Sequence, residues 1–470
     1  MTDCVYTQKD KILLRGCLLL FRITLDFMYF YIIQNEYSNI LLFALGYRTG
    51  AFTFSIDFLK LFFSYILTFF FIEIHLSLCV RNDRAHELIC TGLLAISLLP
   101  NLSMFAYSDA GWDFVMWLSM FWIFFYILTY FFTRRIPLNK NRNIIYLYKR
   151  FFTKKSARSA FKYISLLFVL GSVLFCYKFH GGFYIHIDFH NDYVYKSRMY
   201  ARHSLPQIAN YFRNTAMYVV FPLLANIYLI KKKYLPFCMS LLILALLFSV
   251  DSQKAVLMLP LVSLIGSLII KRKVSLTIVQ GLLATNIFVI IFYSLTRNLL
   301  FVEFLIKRIY FIPAIISSCY FDTVNENGYI LFMTSLLKKY GMLNEYTYIN
   351  RSLPYFVGST YFGSHNISAN TGGFAAAYAY GPIVMFAIIL CYASLFRLLD
   401  KYTTNIDIKY YFAFIVAMIF VIEGASIISV TIVYGYLFGL FMLYIMNNSL
   451  LFTNKLSIFY GGKMNETNIR

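Results

Sequence analysis

The sequence predicts an all-α, polytopic integral membrane protein with about twelve transmembrane helices and both termini in the cytoplasm. Three observations predict it. Of 470 residues, 60% are hydrophobic and 20% aromatic, while only 13% are charged, which lies outside the range of soluble domains. Apolar runs long enough to cross about 30 Å of hydrocarbon, at about 1.5 Å per helical residue, recur along the chain. The basic residues behind the net charge of +21 gather in short connections between those runs, where Lys and Arg mark the cytoplasmic side. That placement argues against nucleic acid as a partner and makes membrane lipid the expected surroundings.

The elements follow in order. Residues 12–33 form a first run that could be mistaken for a signal peptide, but it carries Arg15, Arg22 and Asp26 and has no A-x-A cleavage site, so it is retained as a span. Further spans are expected at 56–80, 88–107, 114–133, 161–179, 214–230, 234–250, 255–270, 275–294, 373–397, 409–428 and 430–447. RNDR at 81–84, KKK at 231–233, KRK at 271–273 and the 134–160 loop, with nine basic residues and no acidic one, all fall on one side of this alternation. The segment 299–321 is nearly long enough to span, and a thirteenth helix there would invert everything after it. Glu303, Lys307, Arg308 and Pro313 instead suit an amphipathic helix lying at the outer interface. No internal repeat is visible, so residues 1–470 form a single membrane domain.

The side opposite the basic loops holds two long connections, 180–213 and 297–372, where the unusual residues concentrate. The first combines aromatics with Arg198, Arg202, Arg213, Lys196, Asp188 and Asp192. Aromatic faces stack on sugar rings and the Arg fork matches phosphate oxygens; the plainer alternative is interface-anchoring aromatics and solvated charges. His180, His186 and His190 lack the spacing of a familiar metal motif. The eight cysteines include no CxxC, so neither zinc nor a disulfide framework is expected. Lys254, at the 7/8 hairpin DSQKA, stands against the sidedness of the other cations, with Asp251 or an anionic headgroup as its partner. Arg297, Arg308 and Arg351 add outward cations.

The second long connection ends in GSHNISANTGGFAAAYAYG. His365 could act as a base near neutral pH or be a bystander. Gly373, Ala377 and Gly381 should let the tenth span pack closely, its N-terminus presenting free N–H groups to an anion. Arg22 and Asp26, four residues apart, should neutralise each other on one helix face. Glu73, His75 and Glu423 are further polar groups within the spans.

About twelve spans, DSQKA at the 7/8 hairpin, and KRIYFIPA followed by SHNISANTGGFAAAYAYG together resemble the Wzy-type O-antigen polymerases, and more distantly the O-antigen ligases. The ligases share a periplasmic His-Asn pair, which His365 and Asn366 match; the leucine that follows in the ligases is replaced here by Ser368 or Ala369. The resemblance implies an inner-membrane glycosyltransferase of lipopolysaccharide O-antigen biosynthesis acting on the periplasmic face. Its substrates would be undecaprenyl-pyrophosphate-linked oligosaccharides, with a chain-length regulator protein as partner and no metal or nucleotide cofactor. It implies catalytic roles for His365, Arg308 and Arg297, and substrate binding by Arg198, Arg202, Arg213, Lys254 and Asn366. The alternatives are a lipid-linked oligosaccharide flippase, a ligase or another polyprenyl-dependent glycosyltransferase.

Overall fold

A computed structural model describes residues 6–37, 54–80, 84–134, 154–183, 200–201, 204–251, 262, 273–330, 352–362 and 368–449. All regular structure among them is helical. Seven of these helices are long and apolar enough to cross a membrane, so the chain is a multi-pass membrane protein. They are α1 (Gln8–Ile33), α2 (Phe58–Leu78), α3 (Ala85–Ala106), α4 (Trp112–Arg134), α5 (Ser156–His180), α8 (Val274–Thr296) and α12 (Pro382–Thr403).

Between and after these, α6 runs through Gln207–Thr215, Ala216–Val220 and Phe221–Ile230, and α7 covers Tyr234–Asp251. The helix α9 joins Val302–Phe311 to Ile312–Asn327, and α10 and α11 are Leu353–Phe362 and Gly373–Tyr378. Last come α13 (Phe412–Gly424) and α14 (Tyr436–Asn448). The expected span at 255–270 lies outside the described residues.

Helix ends are sorted by polar contacts. At one end Lys11 Nζ donates to the Leu76 carbonyl at 2.9 Å, and Arg15 grips Glu73 through Nε and Nη2 at 2.5 and 2.8 Å. Lys273 pairs there with Asp10, Arg84 donates to the Thr133 carbonyl, and His86 meets Asp400. This is the basic end. At the far end Lys60 donates to the carbonyls of Ser108 and Ala110 at 3.1 and 2.8 Å, in the connection that follows α3. The start of α1, the end of α2, the start of α3, the end of α4, the start of α8 and the end of α12 therefore share one end, the alternation that the loop charges implied.

The segment 299–321 is helical, as expected, and does not thread the bundle. Its start, Phe301, stacks against Phe288 and Phe292 of α8. Its middle meets Phe21 and Tyr29 of α1 through Tyr310 and Phe311, and the chain after it returns to the far end, where the Ile330 N–H donates to the Ala379 carbonyl at 2.9 Å. What differs is its setting. Ala314 through Phe321 are all buried, so this half is enclosed on every side by protein, where a helix on a lipid surface would keep one polar face in water.

The tenth span also differs. The chain breaks at Gly381, whose φ of +88° is a conformation that favours glycine, and Pro382 then opens α12. What precedes it is the separate six-residue α11. Apolarity runs unbroken through this joint, so hydropathy alone shows one helix.

Candidate functional site

The core carries more polar chemistry than its composition suggests, and most of it converges on α3. Arg22 and Asp26 of α1 pair at 2.9 Å as their spacing implied, and Arg22 also donates to Ser64 Oγ at 2.8 Å and towards the Leu102 carbonyl of α3. His75 of α2 bonds Thr91 of α3 at 3.0 Å. His86 Nδ1 lies 2.5 Å from Asp400 Oδ2 of α12, while its backbone N–H donates to Oδ1 at 3.1 Å. Each of these charged groups has a partner, as groups buried in a membrane bundle require.

The candidate site is the far end, where α9 crosses above α3 and α4. Phe321 stacks on Tyr378 there, Phe374 lies tilted against Tyr378, and Phe114 meets Phe321 and Phe374 edge-to-face. Tyr320 donates to the Ala369 carbonyl at 2.8 Å, and Tyr378 donates to Asn325 Oδ1 at 2.9 Å; these bonds fix α9 to the chain that leads into α11. On the last turns of α9, Asp322 is half-buried beside Ser318, with the exposed Glu326 one turn on. Burial, reinforced by the Glu326 charge, pushes the Asp322 carboxyl up to about 6, which places it near the working range of a general base. Tyr361 of α10 lies close enough to feel the charges of Asp322 and Glu326.

Below that layer, α13 ends in Glu423. The Gly372 N–H donates to the Glu423 carbonyl at 2.7 Å, and the approach is so close that a Cβ on Gly372 would fall 2.0 Å from the Ile422 carbonyl oxygen. The Gly372 N–H that leads into α11 is thereby taken up by α13, where the head of the tenth span was expected to offer free N–H groups to an anion.

The expected cations are divided. Arg297 caps α8 in a left-handed conformation at φ +54°, and its guanidinium stands over Tyr31 and Tyr293, with ring centroids 5.7 and 5.5 Å away. Arg308 is exposed on α9, next to Lys307, which is buried and paired with Glu303 at 2.8 Å. Arg297 and Arg308 thus belong to the α1, α8 and α9 side of the bundle. Arg213 is buried in α6, with Nη2 donating to Asn214 Oδ1 at 3.4 Å, and the stretch that carries it, Gln207–Thr215, packs with α5 and Ser429–Val433. Arg198, Arg202, Lys254, His365 and Asn366 lie outside the described residues, as do His186 and His190. Among the described residues no group of three His, Cys, Asp or Glu is arranged to hold a metal ion.

Asp322 and Asp400 had no signal in the sequence. Asp322 sits in CYFDTVNEN and reads as an ordinary helix end; Asp400 sits in FRLLDKYT and its partner is far away in the chain. No protein-family model matches this chain, and no match emerges among curated proteins or among solved structures.

Proposed function

We propose that the protein joins lipid-linked oligosaccharides by glycosyl transfer, as a Wzy-type O-antigen polymerase does, at its far end on the periplasmic face of the bacterial inner membrane. The observation that carries this is Asp322, a half-buried carboxyl raised to about 6, on a helix that also bears Arg308 and crosses the end of the bundle. In the reaction a base takes the proton of the acceptor sugar hydroxyl, and the oxygen bonds to the anomeric carbon of the donor chain. The bond from that carbon to undecaprenyl pyrophosphate breaks, and the electron pair leaves with the pyrophosphate. Asp322 or His365 serves as the base, and Arg297 and Arg308 stabilise the departing anion. Arg198, Arg202, Arg213, Lys254 and Asn366 are kept as substrate-binding residues, and a chain-length regulator as the protein partner.

Because the folded-state carboxyl of Asp322 is raised, its basic form accumulates only above about pH 6. Transfer should therefore climb through that pH. Asp322→Asn should lower the rate about 100-fold or more and flatten the climb. The cellular test is the lipopolysaccharide pattern: loss of the gene should leave core capped with a single repeat unit in place of a ladder. Arg308→Ala and His365→Ala should each collapse the ladder while the protein still reaches the membrane, and normal ladders from both would refute the assignment.

One observation favours a second function, a lipid-linked oligosaccharide flippase. Ionisable groups are buried within α1, α3, α12 and α13, and transporters place such groups along their pathways. A complete absence of O-antigen on core after gene loss would support it.

A further inference from the structure

The chain turns sharply where α9 ends, and the turn presents one tyrosine. Gly328 adopts φ +89°, a conformation that favours glycine, and its N–H donates to the Val324 carbonyl at 2.8 Å. Two residues on, the Ile330 N–H is held by the Ala379 carbonyl at 2.9 Å, so the backbone is fixed on both sides of Tyr329. Its ring lies on the joint between α11 and α12. The point where a Cβ of Gly381 would sit is 3.5, 3.6 and 3.8 Å from Tyr329 Cγ, Cδ2 and Cδ1. Three neighbouring ring atoms at nearly equal distance place that point above the ring face, because a point in the ring plane beyond Cγ would lie markedly farther from both Cδ atoms. Gly381 thus supplies a bare stretch of backbone on which the ring rests.

One face of Tyr329 is covered in this way, yet 47% of the residue is exposed, so the opposite face and the hydroxyl rim are open. The Tyr378 ring stands at 78° to it with centroids 5.7 Å apart and steadies it against tilting. Asn325 and Glu326 beside it are also exposed, and a carboxylate in that position marks the surface as water-facing. The Tyr378 hydroxyl donates to Asn325 Oδ1 at 2.9 Å, so the amide N–H bonds of Asn325 are left to donate outward, while Glu326 offers acceptor oxygens. Asn327, by contrast, donates back to the Thr323 carbonyl of its own helix at 2.9 Å. A tyrosine that only anchors a helix at the membrane surface needs no fixed ring orientation. A pre-set aromatic face flanked by a donor and an acceptor suits a sugar, whose C–H bonds lie on the aromatic while its hydroxyls pair with amide and carboxylate.

We infer that Tyr329, Asn325 and Glu326 form a saccharide subsite that holds, on the acceptor, the sugar next to the reacting one. Its register rests on the proposed role of Asp322 as the base. Asp322, Asn325 and Glu326 stand at i, i+3 and i+4, which is one face of α9. From Asp322 to Gly328 the helix rises about 9 Å, more than a single pyranose ring spans, so the ring on Tyr329 is a neighbour of the sugar whose hydroxyl reaches Asp322. No bond is made or broken at this subsite. The acceptor must carry at least two sugars to be held at both points.

The test measures binding apart from transfer. The repeat-unit oligosaccharide of the host's own O-antigen, released from its lipid by mild acid and labelled with a fluorophore at its reducing end, is titrated into the purified full-length chain in nanodiscs while polarisation is read. Tyr329→Ala should weaken binding about tenfold, and Tyr329→Phe, which keeps the aromatic face, should stay within about twofold of wild type. Glu326→Gln, at an exposed position away from the packed interior, should weaken binding about threefold and does not depend on the fold surviving loss of the ring. A wild type that does not bind the oligosaccharide overturns the subsite, and so does a Tyr329→Ala that binds as wild type does. The two readings fail separately. Binding that is lost in Tyr329→Ala, with no transfer by wild type, keeps the subsite and removes glycosyl transfer; transfer by wild type, with full binding in Tyr329→Ala, does the reverse.

Discussion

Helices α2 and α3 have the same mean hydropathy, 1.8, yet 33% of one and 100% of the other is buried within the protein. On α2 the residues Phe58, Leu59, Phe62 and Phe69 face outward, from 50% to 79% exposed, and the polar Ser64, Thr68 and His75 line the single buried face. On α3 the polar groups point to several neighbours at once: His86 to α12, Thr91 to α2, Ser97 to α13, and backbone carbonyls to Arg22 of α1. Lipid solvates α2, so its chemistry is confined to a stripe. Protein solvates α3, so polar groups can be placed around its whole circumference wherever a partner is supplied. Equal hydropathy therefore hides opposite roles, one helix serving as wall and the other as axle.

Substitutions can break or sharpen that contrast. The largest effect is expected at the axle: Asp400→Ala leaves His86 buried without its carboxylate and should cost about 3–5 kcal/mol, read as a fall in the thermal unfolding midpoint in detergent. His86→Ala combined with Asp400→Ala should recover part of that loss. Gly372→Ala comes next, because the added methyl meets the backbone of α13; overpacking of this kind should cost about 1–3 kcal/mol in the same assay. Ser97→Ala removes one hydrogen-bonding neighbour of Glu423 and should cost about 1 kcal/mol. Phe62→Ala on the wall should stay within about 0.5 kcal/mol of wild type. If Phe62→Ala destabilised the protein as strongly as Asp400→Ala, the distinction between wall and axle would fail.

Local sequence carried the outline of this fold because hydropathy and sidedness are local. Spans expected at 88–107, 114–133 and 275–294 agree with α3, α4 and α8 to within a few residues. The same logic kept 299–321 from being threaded through the bundle, since Glu303, Lys307 and Arg308 made lipid burial unfavourable. It could not show that protein would surround Ala314 through Phe321, because enclosure depends on α3, α10 and α11, which local hydropathy does not bring together. Nor could it detect the break at Gly381, a matter of one backbone angle in an apolar run. The candidate site was legible to the same extent. Arg22 with Asp26 followed from helical spacing, whereas Asp400 acquires meaning only when α12 meets α3, and Asp322 only when its surroundings raise its carboxyl.

Among the described residues five stretches, Tyr29–Ile33, Leu94–Leu98, Ala216–Val220, Val302–Phe311 and Ser429–Val433, are wound as π-helix, and each wide turn accommodates a residue that an α-helix would lack. In evolutionary terms these are tolerant points for insertion and deletion, and also hidden clutches. Removing one residue inside Leu94–Leu98 would let that turn tighten to α-helix while the flanking turns keep nearly their present register with His86. What would go is the local widening that carries Ser97 to Glu423. A chain one residue shorter there could keep its hydropathy profile and the alignment of its two ends, and still lose that one contact.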